Sequence, residues 1–364
     1  PRNDLRHDIQ PIAIGALTTG GTPPAGVSVG PAILGTPDLV YTPARIFSVM
    51  VRANNVIELR SSVASGPSTS GNCANSDRPG ELCSAWSAPF ALPIAWPASA
   101  TDRTIRGASA NYWNNALYVA FINASGEVYR ASYAVTNGNL VSRGTARREA
   151  TGASNEPELA TINVPTYRGG GRSTALALFW RDAATSETRW SLSAVADPEL
   201  LVAQGALRLT GTNATMPVTF TPTVVPFPFA GANNAGASAC GAFVDTNRQV
   251  HVLCLDRSSA SLRWNDVSAA AFPGTDPSTD VRPGFAFQLV RRADGTALHG
   301  VDGWGQFWLA SRPPSDPPWI RVSLGVDGRA PLTVSNTPAF SMRDRFDGSL
   351  SITADSGLTL LADY

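Results

Sequence analysis

Four short turn-like segments hold the side chains best suited to gripping a polar ligand. They are Trp180-Arg181-Asp182, Asp302-Gly303-Trp304, Asp245-Thr246-Asn247-Arg248 and Asn54-Asn55. An indole offers a flat apolar face to the C–H surface of a sugar ring. Guanidinium, carboxylate and carboxamide groups supply planar donors and acceptors for hydroxyls. Trp180, Arg181, Asp182, Asp245, Arg248, Asp302, Trp304, Asn54 and Asn55 are therefore the candidate ligand-binding residues. A structural reading competes for each of them. Most Trp side chains are largely buried, turn charges are commonly solvated, and Asp or Asn in a turn bonds its own backbone.

Residues for covalent or acid–base chemistry are sparse. The chain has 28 basic residues, all of them Arg, so no Lys is present for Schiff-base or general-base work. Its three His (His7, His251 and His299) lie outside any nucleophile or metal motif. His251 stands between Val250 and Val252 and reads as a packed strand residue. There is no Gly-x-Ser-x-Gly, His-Glu-x-x-His or Gly-x-x-x-x-Gly-Lys pattern, which removes support from esterase, zinc-protease and P-loop readings. Paired carboxylates for glycoside cleavage remain open, because such pairs come from separate elements and leave no local signature. Asp182, Asp245, Asp302 and Asp355 are the candidates. Asp344–Gly348 is too short for an EF-hand loop and reads as a turn. The sequons at Asn123 and Asn213 matter only in a eukaryotic secretory route. No catalytic residue, metal ligand or cofactor is assigned.

Composition narrows the partners. Charged residues make up 15% of the chain and balance to zero. Such a surface has no basic footprint for nucleic acid or an anionic membrane. No apolar run reaches the roughly 18 residues of a membrane span. The Arg-only basic set and the Ala, Gly and Pro richness point to a high-GC bacterial gene. The start at Pro1 suggests a removed leader. Four cysteines fit an oxidising compartment. Cys240 and Cys254 lie symmetrically about the turn at Asp245–Arg248, and directly opposed strand residues bring Cβ atoms to about 4.5–5.5 Å. Cys73 and Cys83 close a short polar loop. Two local disulfides favour a secreted or periplasmic protein. Four buried thiols are the alternative, and a zinc site has little support without Cys-x-x-Cys.

The elements that must position these turns repeat. Strands of similar character end at Ser62, Ser132, Ser193, Asp256, Ser311 and Asp363, about 60 residues apart. The last unit reads Pro338–Tyr364 and the one before it Arg282–Arg312, each with short strands joined by Asp-Gly-type turns. With 32 Gly and 28 Pro the chain suits an all-β fold rich in turns. Five of six units open on Pro (Pro31, Pro157, Pro222, Pro283 and Pro338), tolerated as a strand's first residue. The first unit takes strands at Pro31–Gly35, Arg45–Arg52, Val56–Ser62 and Trp86–Leu92. The third takes Pro157–Val164, Thr174–Arg181, Thr188–Ser193 and Ala206–Gly211. Asp197–Gly205 has a weak helical pattern and is short. The sixth unit stops after three strands, and Ile9–Leu17 at the N-terminus is a spare one. The expectation is one domain over residues 1–364: an all-β, six-bladed β-propeller of four-stranded blades, closed by the N-terminal strand pairing with Leu358–Tyr364. Paired β-sandwiches would explain the strands but not the repeat.

The units resemble the blades of lectin-type β-propellers. The resemblance lies in Pro338-Ala339-Phe340, Asp347-Gly348 and Asp355-Ser356-Gly357, and in Pro283, Asp294-Gly295, Asp302-Gly303 and Trp319. Arg45 opening a strand, with Glu58 on the next, looks like the fucose-binding six-bladed propellers, although the other units do not repeat the pair. The resemblance implies that second-to-third-strand loops and inter-blade loops share one ligand-binding face. The expected function is a secreted carbohydrate-binding protein without catalytic activity, whose partner is a glycan or small polar ligand, with no nucleic acid and no membrane insertion. A glycoside-processing enzyme and a protein-interaction scaffold are the alternatives.

Overall fold

The computed structural model describes residues 10–13, 33–42, 45–63, 87–136, 139–165, 172–194, 197, 199–226, 239–247, 249–255, 263–267, 288–292, 295–301, 307–312, 320–323, 340–344, 349–354 and 358–363. All regular structure among them is extended. In chain order the strands are β1 (Gln10–Ala13), β2 (Ile33–Tyr41), β3 (Arg45–Arg52), β4 (Val56–Val63), β5 (Phe90–Ala91), β6 (Gly107–Trp113), β7 (Ala116–Ile122), β8 (Val128–Thr136), β9 (Asn139–Ser142) and β10 (Arg147–Ala150). There follow β11 (Glu158–Pro165), β12 (Arg172–Arg181), β13 (Thr188–Ser193), β14 (Leu201–Ala206), β15 (Arg208–Leu209), β16 (Thr223–Pro226), β17 (Ala239–Val244), β18 (Val250–Leu255) and β19 (Arg263–Asp266). The last are β20 (Gln288–Arg292), β21 (Gly295–Val301), β22 (Phe307–Arg312), β23 (Ile320–Ser323), β24 (Phe340–Asp344), β25 (Ser349–Ala354) and β26 (Leu358–Asp363). No helix among the described residues is long and apolar enough to cross a membrane.

Each repeat becomes an antiparallel meander. The sheet orders are β2-β3-β4-β5, β10-β8-β7-β6, β11-β12-β13-β14, β15-β19-β18-β17-β16, β20-β21-β22-β23 and β1-β26-β25-β24. The spare N-terminal strand pairs with the last one, Gln10 opposite Leu361 and Ala13 opposite Leu358. Two sheets carry a fifth strand. β9 pairs β8, and β15 joins β19 in parallel.

The chain forms two compact units. One comprises Pro1–Ser125, Tyr129–Arg148 and Thr337–Tyr364. Its core lies between the β2–β5 and β6–β10 sheets, where alternate residues such as Phe47, Val49, Leu59, Val119, Phe121 and Tyr129 point inward and are buried. Trp96 meets Phe121 and Tyr129 edge-on, with both pairs of ring centroids 5.2 Å apart. The first strand, β2, touches β6 and β24. Asp38 on β2 is buried and accepts bonds from the Ala110 amide (3.0 Å) and the Ser109 hydroxyl (3.3 Å), tying one first strand to the next. The other unit comprises Gly126–Val128 and Glu149–Asn336. There Phe179, Leu192, Val224, Phe243, Leu253 and Trp264 form the core between the β11–β14 and β15–β19 sheets. Its first strands also meet, β16 touching β11 and β20. Each large side chain so buried contributes about 1.5–3 kcal/mol.

Turn chemistry fixes the hairpins. Asn114 and Asn115 both have positive φ (49° and 58°), the conformation of a two-residue hairpin turn. Cys240 lies directly opposite Cys254, as the symmetric placement about the turn implied, and the two form a disulfide. Cys73 and Cys83 lie outside the described residues.

Two strand assignments need correction. The fourth strand of the third unit is Leu201–Ala206, not Ala206–Gly211, and the segment with a helical pattern supplies it. Ala203 packs inward while Val202 is exposed, so a period of two overrides a short helical one. Arg208–Leu209 instead joins the following sheet. The first strand of the first unit runs to Tyr41, past Pro37, because the register shifts between Leu34 and Asp38 and an irregular strand tolerates Pro there.

Candidate functional site

One rule recurs at three successive sheet junctions. The connector entering each new sheet is pinned between two hairpin turns: the turn joining second and third strands of the sheet before, and the corresponding turn of the sheet it enters.

At the first junction the Ile105 amide donates to Asn55 Oδ1 (3.4 Å) in the β3–β4 turn. Three residues earlier, Asp102 reaches the β7–β8 turn. Its Oδ1 accepts from the Thr104 amide (2.9 Å) and hydroxyl (2.7 Å), and its Oδ2 from the Ser125 amide (2.8 Å) and hydroxyl (2.7 Å). These bonds, the Thr104 hydroxyl first, hold the Asp102 carboxyl down at about 2. Asn123 is buried and gives its Nδ2 to the Asp102 carbonyl (3.0 Å), so this sequon is closed to modification in the folded chain.

At the second junction the Ala153 amide donates to the Gly126 carbonyl (2.9 Å), and the Ser154 amide to the Arg181 carbonyl (3.0 Å). Gly126 has φ +75°, and a Cβ there would stand 2.6 Å from the Ala153 oxygen, so only glycine fits.

At the third junction Met216–Thr219 runs between the β12–β13 and β17–β18 turns. Val218 donates to the Ser186 carbonyl (2.7 Å) and forms a bridge with Asp245. The Thr219 hydroxyl donates to the Asp245 carbonyl (2.7 Å).

The structure thus brings Arg181, Asp182 and Asp245 to one rim, flanking a single connector. Arg181 Nε donates to the Val218 carbonyl (2.6 Å), Nη1 to Ser154 Oγ (2.6 Å) and Nη2 to Ser186 Oγ (2.5 Å). A guanidinium has five N–H donors, so three are engaged and two are left for a ligand. Asp182 Oδ1 closes its own turn through Ala184 and Thr185, and Arg189 lies 3.7 Å from Oδ2. Partial burial pushes the Asp182 carboxyl up, but the Thr185 and Ala184 bonds and the Arg189 charge together bring it below its ordinary value. Asp245 Oδ1 accepts from the Gln249 amide (2.7 Å). Trp180 is 6% exposed and packs as a buried residue. Asn54 is exposed, and Asn55 holds the β3–β4 turn at φ 67°. Arg248, Asp302 and Trp304 lie outside the described residues.

Sequence reading missed the neighbours of these turns. His251, expected as a packed strand residue, is half-buried between two carboxylates: Nδ1 is 3.1 Å from Asp266 Oδ2 and Nε2 3.5 Å from Asp245 Oδ2. The bond to Asp266 raises the imidazole above its ordinary value, against partial burial. Glu187 accepts from the Thr215 hydroxyl (2.6 Å) and approaches Arg189 at 3.5 Å. The register implied by the Cys240–Cys254 placement was the signal that could have found it: His251 stands opposite Phe243, two residues before Asp245 on the same face.

The Arg45–Glu58 pair is not assembled. Glu58 lies opposite Met50, whereas Arg45 lies opposite Val63 at the far end of the hairpin. Glu58 instead receives two bonds from Arg52 (3.0 and 2.9 Å) and one from Arg60 (3.2 Å), while Arg45 donates to Ser61 (3.1 Å).

No protein-family model and no curated protein matches the sequence. Solved structures do match. AofleA from Arthrobotrys oligospora aligns with a TM-score of 0.50 at 10% identity, covering 90% of this chain and 81% of that one. A variant of Aleuria aurantia lectin in complex with α-methyl-L-fucoside aligns at 0.50 and 9% identity, covering 88% of this chain and 89% of that one. Trypanosoma rangeli sialidase in complex with the inhibitor DANA aligns at 0.50 and 10% identity, with 96% of this chain but only 57% of the sialidase covered. The meander of short antiparallel sheets read from the repeat is therefore a fold shared with fungal β-propeller lectins.

Proposed function

We propose that the chain is a secreted or periplasmic carbohydrate-binding protein: one six-bladed propeller domain, closed by the N-terminal strand, that holds glycans without cleaving them. The pinned rim carries this reading. At Arg181, Asp182 and Asp245 two turns meet one connector and present donors and acceptors already fixed in place. Preorganised polar groups beside apolar surface are what hydroxyl-rich ligands require, because little side-chain freedom is lost on binding. The proposed contacts are the two remaining N–H groups of Arg181 and the Asp182 and Asp245 carboxylates; Asn54, Asn55, Arg248, Asp302, Trp304 and the Trp180 neighbourhood are proposed as further ligand contacts. Pairing of β1 with β26 supports ring closure. The Cys240–Cys254 disulfide supports an oxidising compartment.

The likeness to a sialidase favours a second reading, glycoside processing by paired carboxylates. Asp182 argues against serving as its acid, since a general acid needs a raised value and Asp182 is lowered. Two assays on the full chain decide. A glycan array should give binding to a defined sugar class, and silence on every glycan at high protein concentration refutes the reading. Release of chromophore from aryl glycosides would establish the enzyme instead.

A further inference from the structure

His251 on β18 stands between two carboxylates, Asp266 on β19 and Asp245 at the β17–β18 turn. Its Nδ1 is 3.1 Å from Asp266 Oδ2, a hydrogen-bond distance. Its Nε2 is buried, takes part in no hydrogen bond, and lies 3.5 Å from Asp245 Oδ2. Across the hairpin β17 sets Phe243 opposite it. The turn and connector around Asp245 supply Gln249, Val218 and Thr219, all uncharged. Farther along β19, Arg263 is engaged with Asn213, whose carbonyl also holds Arg208 of β15. Among the described residues the charges acting on the imidazole are those of Asp266 and Asp245.

A neutral imidazole has one N–H and one lone pair, so it serves one carboxylate and turns an acceptor toward the other. The shorter contact takes the N–H. Nδ1 then donates to Asp266, and the Nε2 lone pair faces Asp245 Oδ2. An imidazolium has two N–H groups and satisfies both carboxylates at once. Asp245 has one oxygen in play. Its Oδ1 accepts from the Gln249 amide (2.7 Å), whereas Oδ2 has the exposed Asn247 Nδ2 at 3.5 Å on its other side.

We propose that His251 is a proton-operated latch on Asp245: the imidazolium ties Asp245 Oδ2 to Asp266 across the hairpin, and loss of the Nε2 proton releases that oxygen toward Asn247 and solvent. The bond to Asp266, then the two carboxylate charges, hold the imidazole above its ordinary value near 6.5 against partial burial. The latch is therefore closed at and below that value and opens as pH rises through the higher folded one. Asp245 also bridges Val218, whose carbonyl receives Arg181 Nε, so the latch sits at the junction that carries the candidate contacts. Its consequence for glycans rests on the proposed function: Asp245 is open to a ligand hydroxyl above the folded imidazole value and withdrawn below it. The latch itself does not rest on that function and is read on the unliganded chain.

Imidazole nitrogen NMR of the full chain tests it. His251→Asn identifies the His251 signals by removing them, and Asp245→Asn does so for the Asp245 carboxyl carbon. From about pH 5.5 to about pH 9, Nε2 should lose its proton while Nδ1 keeps its own, and the Asp245 carbon should shift with the same midpoint. Asp266→Asn, at an exposed position, reverses the choice. A carboxamide N–H donates to Nδ1, so the neutral imidazole carries its proton on Nε2 and keeps Asp245. In that variant the Asp245 carbon should move less than about half as far as in the parent. A parent whose neutral imidazole carries its proton on Nε2 overturns the proposal, as does an Asp245 carbon that stays still while His251 titrates. A folded Asp266→Asn chain that keeps the parent's full shift overturns it too, and the parent titration decides by itself should that variant not fold.

Discussion

Arg181 gives the sharpest test of how the rim is built. Replacing it by Ala removes three charge-assisted bonds and strands the Val218 carbonyl, whose residue is fully buried. A bond to a charged group is worth about 1.5–3 kcal/mol when shielded, and a stranded buried acceptor costs about 1–3 kcal/mol. The Ser154 partner is exposed, so its share is small. The expected loss is about 3 kcal/mol. Unfolding entropy near 2.1 cal/mol/K per residue gives about 0.76 kcal/mol/K for 364 residues. The melting temperature should therefore fall by about 4 °C if the whole chain unfolds together, and by about twice that if the unit holding Arg181 unfolds alone. Arg181→Lys restores one bond and should recover about a third of the loss. Calorimetry reads the shift, and hydrogen exchange locates it: the Val218 and Thr219 amides should lose protection more than those of the β17–β18 ladder. A variant melting within about 1 °C of the parent, with that connector still protected, would refute the reasoning.

Two further perturbations follow from carboxylates at the hairpin turns. Asp102→Ala loses four bonds at a partly exposed site and should cost about 1–2 kcal/mol at neutral pH. The folded carboxyl sits near 2 and the unfolded one near 3.9, so this stability is present above about pH 4 and is lost as pH falls toward 2. Urea midpoints of parent and variant should converge over that range, and a gap that stays constant would contradict the assignment. His251→Asn tests the opposite sign. A folded imidazole raised above its unfolded value near 6.5 stabilises the chain below that pH, and the benefit fades as pH rises through the folded value. Thermal melts should show the parent's advantage over the variant at about pH 5.5 shrinking by about pH 8.5, and an equal advantage at both would count against the Asp245–His251–Asp266 arrangement.

Local rules made much of the fold legible. β3 and β13 fall at the residues read from alternation, and the Cys240–Cys254 pairing follows from symmetry about one turn. Where reading failed, a longer-range cause overrode a local signal. The opening strand of the first unit reads as Pro31–Gly35, yet β2 continues past Pro37 to Tyr41, and Asp38 is bonded to a strand some seventy residues on. The stretch before Gly205 reads weakly as helix, yet β13 offers it an unpaired edge and takes it as a strand. Neither the bond partner nor the waiting edge is visible in a window of ten residues.

The turns were legible as positions and much less so as chemistry. Asp182, Asp245 and Asn55 were singled out for what a ligand would want, and each first satisfies the backbone around it. The two uses are not exclusive, and the count of lone pairs and N–H groups decides how much is left. Arg181 spends three of its five donors on Val218, Ser154 and Ser186, and what it keeps is aimed by what it spends. Asp102 is the counterexample: both its oxygens are committed to Thr104 and Ser125, which leaves it a clamp. A sequence states which residues stand at a turn. It does not state which of their polar atoms the next connector will claim, because the Arg181–Val218 bond spans 37 residues and the Asp102–Ser125 bond 23. In a fold built of repeated meanders, the donors left over at each turn are thus set by the junctions between repeats, and they can change from one junction to the next while every sheet keeps the same plan.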